Sequence, residues 1–116
     1  MSRRATLDDV AVIATIEATC FGSSAWSEAL VADEVRGERN VVLLSDDLTA
    51  YGAISVTGDL ADLDRIAVLP GARGQGLARA LLVELVDLAR DLDAERMLLE
   101  VAADNTAAIG LYEAHG

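Results

Sequence analysis

The hydrophobic positions change period several times along the chain, and each period predicts a different element. Apolar residues recur at helical spacing up to about Cys20, and Thr6 followed by Asp9 is a capping-box-like start for that helix. Ser27 is placed to cap a second helix over Glu28–Arg36. Two helices are therefore expected before the first strand.

The middle of the chain carries three apolar runs of strand length separated by turn residues. Asp46-Asp47 and Gly58-Asp59 mark the turns. The predicted strands are Asn40–Ser45, Ala50–Thr57 and Ala61–Val68. Turns this short predict an antiparallel meander.

A Gly/Pro-dense stretch, Pro70–Gly76, follows the meander and leads into a third helix. One face of that helix carries leucines at steps of four, four, three and four: Leu77, Leu81, Leu85, Leu88 and Leu92. A short strand over Met97–Val101 and a last helix over Thr106–His115 are predicted to complete the chain. The order implies one α/β domain, residues 1–116, with a mixed sheet and a parallel pair at its centre.

The composition excludes several classes of protein for this chain. The 116 residues are 53% apolar and 25% charged, which is typical of a folded globular chain. The net charge is −11 and all nine cations are Arg, so the chain should repel nucleic acid and favour a cationic partner, if any. It has no apolar run long enough for a membrane span and no signal-peptide pattern, so we expect a cytoplasmic protein. Cys20, the only cysteine, has no partner for an internal disulfide.

The Gly-rich loop predicts an anion site, because the first N–H groups of the following helix have no internal partner and glycines let a phosphate come close. Arg73 and Arg79 bracket the loop and add charge. A Walker loop is excluded because the chain has no Lys. A dinucleotide fingerprint is disfavoured, because a meander precedes the loop and Ala78 and Arg79 follow Gly74-x-Gly76.

These residues resemble a known family. Arg73–Ala78 is similar to the pattern Gln/Arg-x-x-Gly-x-Gly/Ala of GNAT acetyltransferases. The segment from Leu99-Glu100-Val101 through Asn105 to Leu111-Tyr112-Glu113 resembles the ribosomal-protein-alanine N-acetyltransferases, the RimI type. Trp26-Ser27-Glu28 is similar to that family's Pro-Trp-Ser-Glu. The resemblance spans nearly the whole chain.

The resemblance implies the GNAT acyl-CoA N-acyltransferase fold, with acetyl-CoA as co-substrate and no metal. The loop would hold the pyrophosphate, and the preceding strand would pair with pantetheine. The implied cofactor-binding residues are Ile66, Ala67, Val68, Arg73, Gly74, Gln75, Gly76, Leu77, Ala78, Arg79, Asn105 and Tyr112.

The resemblance also implies catalytic roles. Glu100 would be the general base through water. A carboxylate in an apolar strand is costly unless it is solvated or paired, so its placement there argues for a use. Asp62 and Asp64 are rival bases, since they alternate with Leu63 and Arg65 and so share a face of the preceding strand. The matched Tyr112 would protonate the leaving thiolate, and the Val68 N–H would serve as the oxyanion donor.

The function implied is acetyl transfer to the N-terminal amine of a protein, with an Ala-initiated ribosomal protein as acceptor. Because Cys20 lies outside the site motifs, the transfer would be direct. Two alternatives stay open: a small-molecule amine acetyltransferase of the same fold, and a catalytically weak acetyl-CoA-binding module. Trp26 would either flank the peptide site or anchor the second helix, and His115 is expected at a helix end.

The pattern departs from the family at three points. Ala25 stands where the family has Pro, and Ala102 stands where it usually has Arg, so peptide specificity is less determined. The chain stops at Gly116, where relatives continue with Phe and two more strands. The expectation is a C-terminally truncated domain in which the edge of Met97–Val101 is exposed and pairs two copies into a homodimer.

Overall fold

The computed structural model describes the backbone of residues 2–102 and 105–110 and the side chains of residues 2–98. The helices within that part are α1 Val10–Phe21, α2 Glu28–Arg36 and α3 Leu77–Asp91. Single 3-10 turns lie at Leu7–Asp9, Gly22–Ser24 and Pro70–Ala72. The strands are β1 Ser2–Arg4, β2 Asn40–Ser45, β3 Ala50–Thr57, β4 Leu60–Val68, β5 Arg96–Ala102 and β6 Asn105–Gly110.

These strands form one sheet in which each strand lies beside its neighbour in sequence. Every described neighbouring pair is antiparallel except β4 and β5, which are parallel and joined by α3 as the crossover. The meander, the mixed sheet and the parallel pair predicted from the sequence are confirmed.

The two faces of the sheet are covered by different helices. The leucine face of α3 packs on one face, where Leu81 and Leu85 are buried beside Ile54. A Cβ at Gly52 would lie 2.8 Å from Leu85 Cδ1, so glycine permits this close approach. The other face holds α1 and α2, with Ile13 buried in its core.

The predicted helix starts are confirmed by their hydrogen bonds. Ser27 Oγ accepts from the N–H of Leu30 at 3.2 Å and caps α2. The N–H of Thr6 donates to the Asp9 carboxylate at 2.8 Å, ahead of the short 3-10 turn that leads into α1. Local side-chain chemistry therefore sets both starts.

The helix predicted over Thr106–His115 is wrong where the structure describes it, because Asn105–Gly110 is strand β6. This strand pairs antiparallel with β5, and the ladder supplies partners for the backbone groups of both strands. Helix propensity of the alanines is a weak preference that such pairing overrides. Strand β1 was not predicted, because its three residues have no apolar alternation; it pairs with β2.

Pairing with β6 also corrects the expectation of an exposed β5 edge. Residues 96–100 and Ala102 of β5 have partners on β6, so these positions do not offer a second copy a free edge. The homodimer itself stays a prediction.

A β-bulge interrupts β4 and changes which side chains share a face. Ala53 lies opposite Arg65 and Ile54 lies opposite Leu63, so Asp64 is the additional residue. Leu63 packs in the core beneath α3, whereas Arg65 contacts Glu17 of α1 on the opposite face. The expected alternation is therefore wrong after Leu63: Asp64 and Arg65 are neighbours on the α1/α2 side.

Candidate functional site

The central feature of the site is a gap between the two parallel strands. Residues Leu60–Asp62 of β4 pair with Arg96–Leu98 of β5, and the pairing then stops. Yet β4 continues to Val68 and β5 to Ala102. Beyond Asp62 the strands therefore present facing edges that are not hydrogen-bonded to each other.

Register shows which backbone groups of β4 point into this gap. The N–H of Leu69 donates to the carbonyl of Thr49 at 2.8 Å, which makes those two residues a hydrogen-bonded pair. The next pair, Val68 and Ala50, is then the kind whose N–H and C=O groups point away from each other. Val68, and Ile66 two residues earlier, thus direct backbone groups away from β3 toward β5.

The loop after β4 ends in an uncapped helix N-terminus. Gly74 and Gly76 have φ of 82° and 78°, a left-handed conformation that favours glycine. Gly76 is the N-cap of α3 and provides no side-chain cap, and the N–H of Ala80 donates to its carbonyl at 3.0 Å. The N–H groups just before Ala80 therefore lack intrahelical acceptors, and the helix dipole adds positive charge there.

Two adjoining cavities connect this loop with the gap. One, about 290 Å³, lies at residues 72–79 of the loop, and the other, about 300 Å³, is lined by Ile66, Phe21 and Cys20 among others. Both are lined by Val68, Arg73 and Ala78, so they form one trough from the helix N-terminus to the end of α1. A larger cavity of about 400 Å³ lies between α3 and the β1–β2 side of the sheet and shares Gly76, Leu77 and Arg79 with the loop cavity.

Most predicted cofactor-binding residues line the trough. They are Ile66, Ala67, Val68, Arg73, Gly74, Gly76, Leu77, Ala78 and Arg79. Gln75 lies exposed in the same loop. The side chains of Glu100 and Asn105, on β5 and β6, lie outside the described side chains, and Tyr112 and His115 lie outside the described residues. Their roles stay predictions.

The structure brings Cys20 to the trough, although the sequence analysis placed it outside the site motifs. Its thiol Sγ donates to the Val68 carbonyl oxygen at 3.4 Å. Arg73 Nε donates to the same carbonyl at 3.0 Å. The end of α1 is therefore part of the site wall, which no spacing in the sequence indicated.

A buried polar cluster lies beside the gap and is defined by Glu17, Tyr51 and Arg65. Arg65 Nε and Nη2 donate to the two oxygens of Glu17 at 2.8 and 2.9 Å, and Tyr51 Oη also donates to Glu17. Glu17 is 0% exposed, and a fourth donor, the N–H of Trp26, reaches it at 2.7 Å. Each carboxylate oxygen thus has two donors, which satisfies a charge that would otherwise be costly to bury.

The hydrogen bonds within this cluster keep Glu17 ionised. Burial alone would raise the pKa of Glu17, but hydrogen bonds from Arg65, Trp26 and Tyr51 outweigh it and hold the pKa below its ordinary value. The hydrogen bond to Glu17 raises the pKa of Arg65, and burial followed by the Glu17 hydrogen bond raises that of Tyr51. The sequence carried one signal for this cluster, a glutamate four residues after Ile13 on the apolar face of α1.

A second acidic contact lies on the same face, where Glu34 of α2 meets the bulge residue Asp64. Burial and then the charge of Asp64 raise the pKa of Glu34 to about 7, and burial raises the pKa of Asp64. Asn40 Nδ2 donates to Glu34 at 3.1 Å, and Ser55 Oγ donates to Asp64 at 3.2 Å. Asp64 Oδ2 is buried with no other donor among the described residues, and a proton on Glu34 supplies one.

The described residues offer neither a metal site nor a membrane-spanning helix. Within the described part of the chain, no three His, Cys, Asp or Glu side chains gather in a way that would hold a metal ion. No helix among those residues combines the length and apolar character that crossing a bilayer requires.

Known proteins share both sequence and fold with this chain. The [ribosomal protein bS18]-alanine N-acetyltransferase of Escherichia coli is 39% identical over 94 residues, which cover 78% of this chain and 63% of that enzyme. The crystal structure of the ribosomal-protein-S18-alanine N-acetyltransferase from E. coli matches all of this chain and 77% of its own, with 36% identity and a TM-score of 0.72. A Mycobacterium tuberculosis protein solved in complex with CoA matches all of this chain and 70% of its own, with 26% identity and a TM-score of 0.74.

The chain thus spans less than two thirds of the length of the E. coli relative found by sequence. The model of the acetyltransferase (GNAT) family matches residues 8–116, which include the loop, the strand gap and the segments on both sides of them. With a family match over nearly the whole chain and relatives that share its fold, this protein belongs to the GNAT acetyltransferase family.

Proposed function

We propose that this protein transfers the acetyl group of acetyl-CoA to the N-terminal amine of a protein, with Ala-initiated ribosomal protein bS18 as the acceptor. The observation that carries the proposal is the gap between β4 and β5, joined by one trough to the uncapped N-terminus of α3. The E. coli relative, a [ribosomal protein bS18]-alanine N-acetyltransferase, supports the choice of acceptor.

The described residues fit acetyl-CoA as a ligand. The free N–H groups that begin α3 suit a pyrophosphate, with Arg73 and Arg79 beside them. A Cβ built on Gly74 or Gly76 meets no protein atom within 4 Å, so the loop is open on the side where a ligand would approach. The backbone groups of Ile66 and the N–H of Val68, which point away from β3, suit the amides of pantetheine, which pair as an added strand would. The Val68 carbonyl already accepts from Cys20 and Arg73.

In this proposal acetyl-CoA supplies an activated thioester, and the protein supplies position and proton transfer. The N–H of Val68 donates to the carbonyl oxygen under attack, where negative charge develops. An N-terminal amine has a pKa of roughly 7.7–8.0, so at neutral pH a base must take its proton. Glu100 takes that proton through water, and Tyr112 gives one to the leaving sulfur.

The proposal is tested by incubating the chain with acetyl-CoA and a synthetic Ala-initiated peptide that copies the N-terminus of bS18. Mass spectrometry should find one acetyl group on the first residue. The same peptide with a blocked N-terminus should stay unmodified. Acetylation of alanine amide as efficiently as of the peptide would instead indicate a small-molecule acetyltransferase, and acetyl-CoA binding without turnover would indicate a binding module.

The role of Glu100 is tested by Glu100→Gln. Loss of the base should lower turnover by about 10²–10⁴ while the Kd for CoA changes less than about twofold. Glu95→Gln is the matched control, since Glu95 is exposed just before β5. Loss of CoA affinity together with turnover would mean that Glu100 is structural, and an unchanged rate would return the role of base to Asp62 or Asp64.

A further inference from the structure

The connection between α1 and α2, residues 22–27, has few contacts of its own to define its shape. It begins with the 3-10 turn Gly22–Ser24 and ends at the cap residue Ser27. Most of it is exposed, and Ala25 and Trp26 are half-buried. A segment of this kind keeps one conformation only if neighbouring side chains hold it.

The polar cluster supplies these contacts through one side chain, Arg65. Its Nη2 donates to the carbonyl of Ser24 at 3.0 Å. Its guanidinium lies over two rings, 3.9 Å from the centroid of Phe21 and 4.8 Å from that of Trp26. Glu17, which orients the guanidinium, also accepts from the Trp26 N–H. Ser24 and Trp26 of the segment, and Phe21 just before it, are therefore held by one arginine and its partner.

Arg65 is also adjacent to the reactive gap. It immediately precedes Ile66, the first residue of the β4 edge that lines the trough. Phe21, beneath the guanidinium, lines the same cavity as Ile66 and Val68. The Phe21 ring thus contacts Arg65 and also forms part of the cavity wall beside the gap.

The face of the sheet on which Arg65 and residues 22–27 lie indicates which of the two substrates they contact. The phosphate-binding loop leads into α3, which covers one face of the sheet. Arg65 and the 22–27 segment lie on the other face, with α1 and α2. The trough that starts at the N-terminus of α3 ends at Cys20 and Phe21 of α1, so the far end of a ligand anchored there borders the α1/α2 side. An attacking amine has access to that end from the α1/α2 side.

We propose that Arg65 is a positioning residue for the acceptor, because it holds residues 22–27, with Trp26, as the wall against which the acceptor's first residues pack. This inference rests on the proposed function and assigns it a specificity element. Arginine suits the task because its planar fork binds both oxygens of Glu17 while its face stacks on aromatic rings. Lysine would keep the charge but lose the fork and the stacking.

The test compares Arg65→Lys with wild type in steady-state acetylation of the bS18-derived peptide. The KM for the peptide should rise about tenfold, while the KM for acetyl-CoA changes less than about twofold. Trp26 is the only tryptophan, so its fluorescence reports on this wall directly. In wild type the peptide should change that emission, and in Arg65→Lys the change should require about tenfold more peptide.

Two further variants separate positioning from folding. Glu17→Gln combined with Arg65→Met removes both charges and leaves no unpaired ion, so it should fold and still show the raised peptide KM. Arg3→Lys is the matched control, because Arg3 also forms a two-point pair with a carboxylate, Asp9, but touches neither ring. It should leave both KM values unchanged.

Several outcomes would overturn the inference. Equal increases in both KM values would mean a general structural role, and unchanged values would mean that the wall does not depend on Arg65. Wild type could acetylate no peptide while the peptide still changes its Trp26 emission, with more peptide needed in Arg65→Lys. In that case the proposed function fails and the positioning role stands. If the peptide leaves Trp26 emission of wild type unaltered, the positioning role fails as well.

Discussion

Two glutamates reach the same face of the sheet from neighbouring helices and meet opposite environments. Glu17 of α1 is completely buried and receives four hydrogen bonds, two of them from Arg65. Glu34 of α2 is half-buried and faces another carboxylate, that of Asp64. The pKa of Glu17 is lowered and that of Glu34 is raised to about 7.

The difference shows that depth of burial does not by itself decide the charge of a carboxyl group. The more deeply buried Glu17 stays ionised because its donors outweigh desolvation. Burial, and after it the like charge of Asp64, raise the pKa of Glu34 to about 7, because among the described residues no cation lies beside this carboxyl to outweigh them. Both partners come from adjacent residues of the β4 bulge, Asp64 and Arg65, so a single irregularity of the strand creates both environments.

Arg65→Met should have the largest effect on stability, because it leaves Glu17 buried and without its cation. We expect a loss of about 3–5 kcal/mol in the free energy of unfolding, measured by urea denaturation. Combining it with Glu17→Gln should recover at least half of that loss. Arg3→Met, at a pair whose arginine is 48% exposed, should cost far less. Equal losses at the two arginines would mean that burial of the pair does not matter.

A smaller effect is expected from Tyr51→Phe, which removes one donor from Glu17 and keeps the ring. Tyr51 is 1% exposed, so no water replaces its hydroxyl without rearrangement. The free energy of unfolding should fall by about 1.5 kcal/mol, the range of a hydrogen bond to a charged group. A stability equal to that of wild type would show that the other three donors satisfy Glu17.

The smallest effect, with the opposite sign, is expected from Glu34→Gln. Between pH 4.5 and about 7 native Glu34 keeps a proton that the unfolded chain has lost, so its contribution to stability falls as pH rises. Glutamine does not titrate, so the variant does not undergo this pH-dependent loss of stability. At pH 8 the variant should be more stable than wild type by about 1 kcal/mol, after the conversion of about 1.4 kcal/mol per pKa unit is reduced for solvent screening.

Denaturation of both proteins at several pH values checks this prediction. The gain should disappear near pH 4, where Glu34 is protonated in the native and the unfolded chain alike. A gain of the same size at pH 4 and pH 8 would show that the proton on Glu34 is not its cause and would indicate a packing effect instead.

Much of the cofactor side of the molecule was predictable because its signals are local. A left-handed backbone at Gly74 and Gly76 requires glycine, and the leucine spacing after Leu77 defines one face of a helix. The same holds for the Ser27 cap. Each of these features is decided by residues within a few positions of one another, so the sequence shows them directly.

The side proposed to receive the acceptor was less predictable because its contacts join distant residues. Glu17, Tyr51 and Arg65 lie on three different elements, and no spacing relates them. The strand β6 was predicted as a helix because local propensity lacks information on the pairing that β5 offers. Cys20 reached the trough only because α1 ends beside Val68.

The sequence by itself therefore determined the family, the order of most elements and the glycine-rich loop that we expect to bind phosphate, all of which depend on short-range pattern. The tertiary structure decided where β4 separates from β5 and on which face Arg65 lies. The physical reason for the second is the bulge at Asp64. One additional residue in a strand reverses the period-two alternation beyond it, and periodicity alone does not reveal its position.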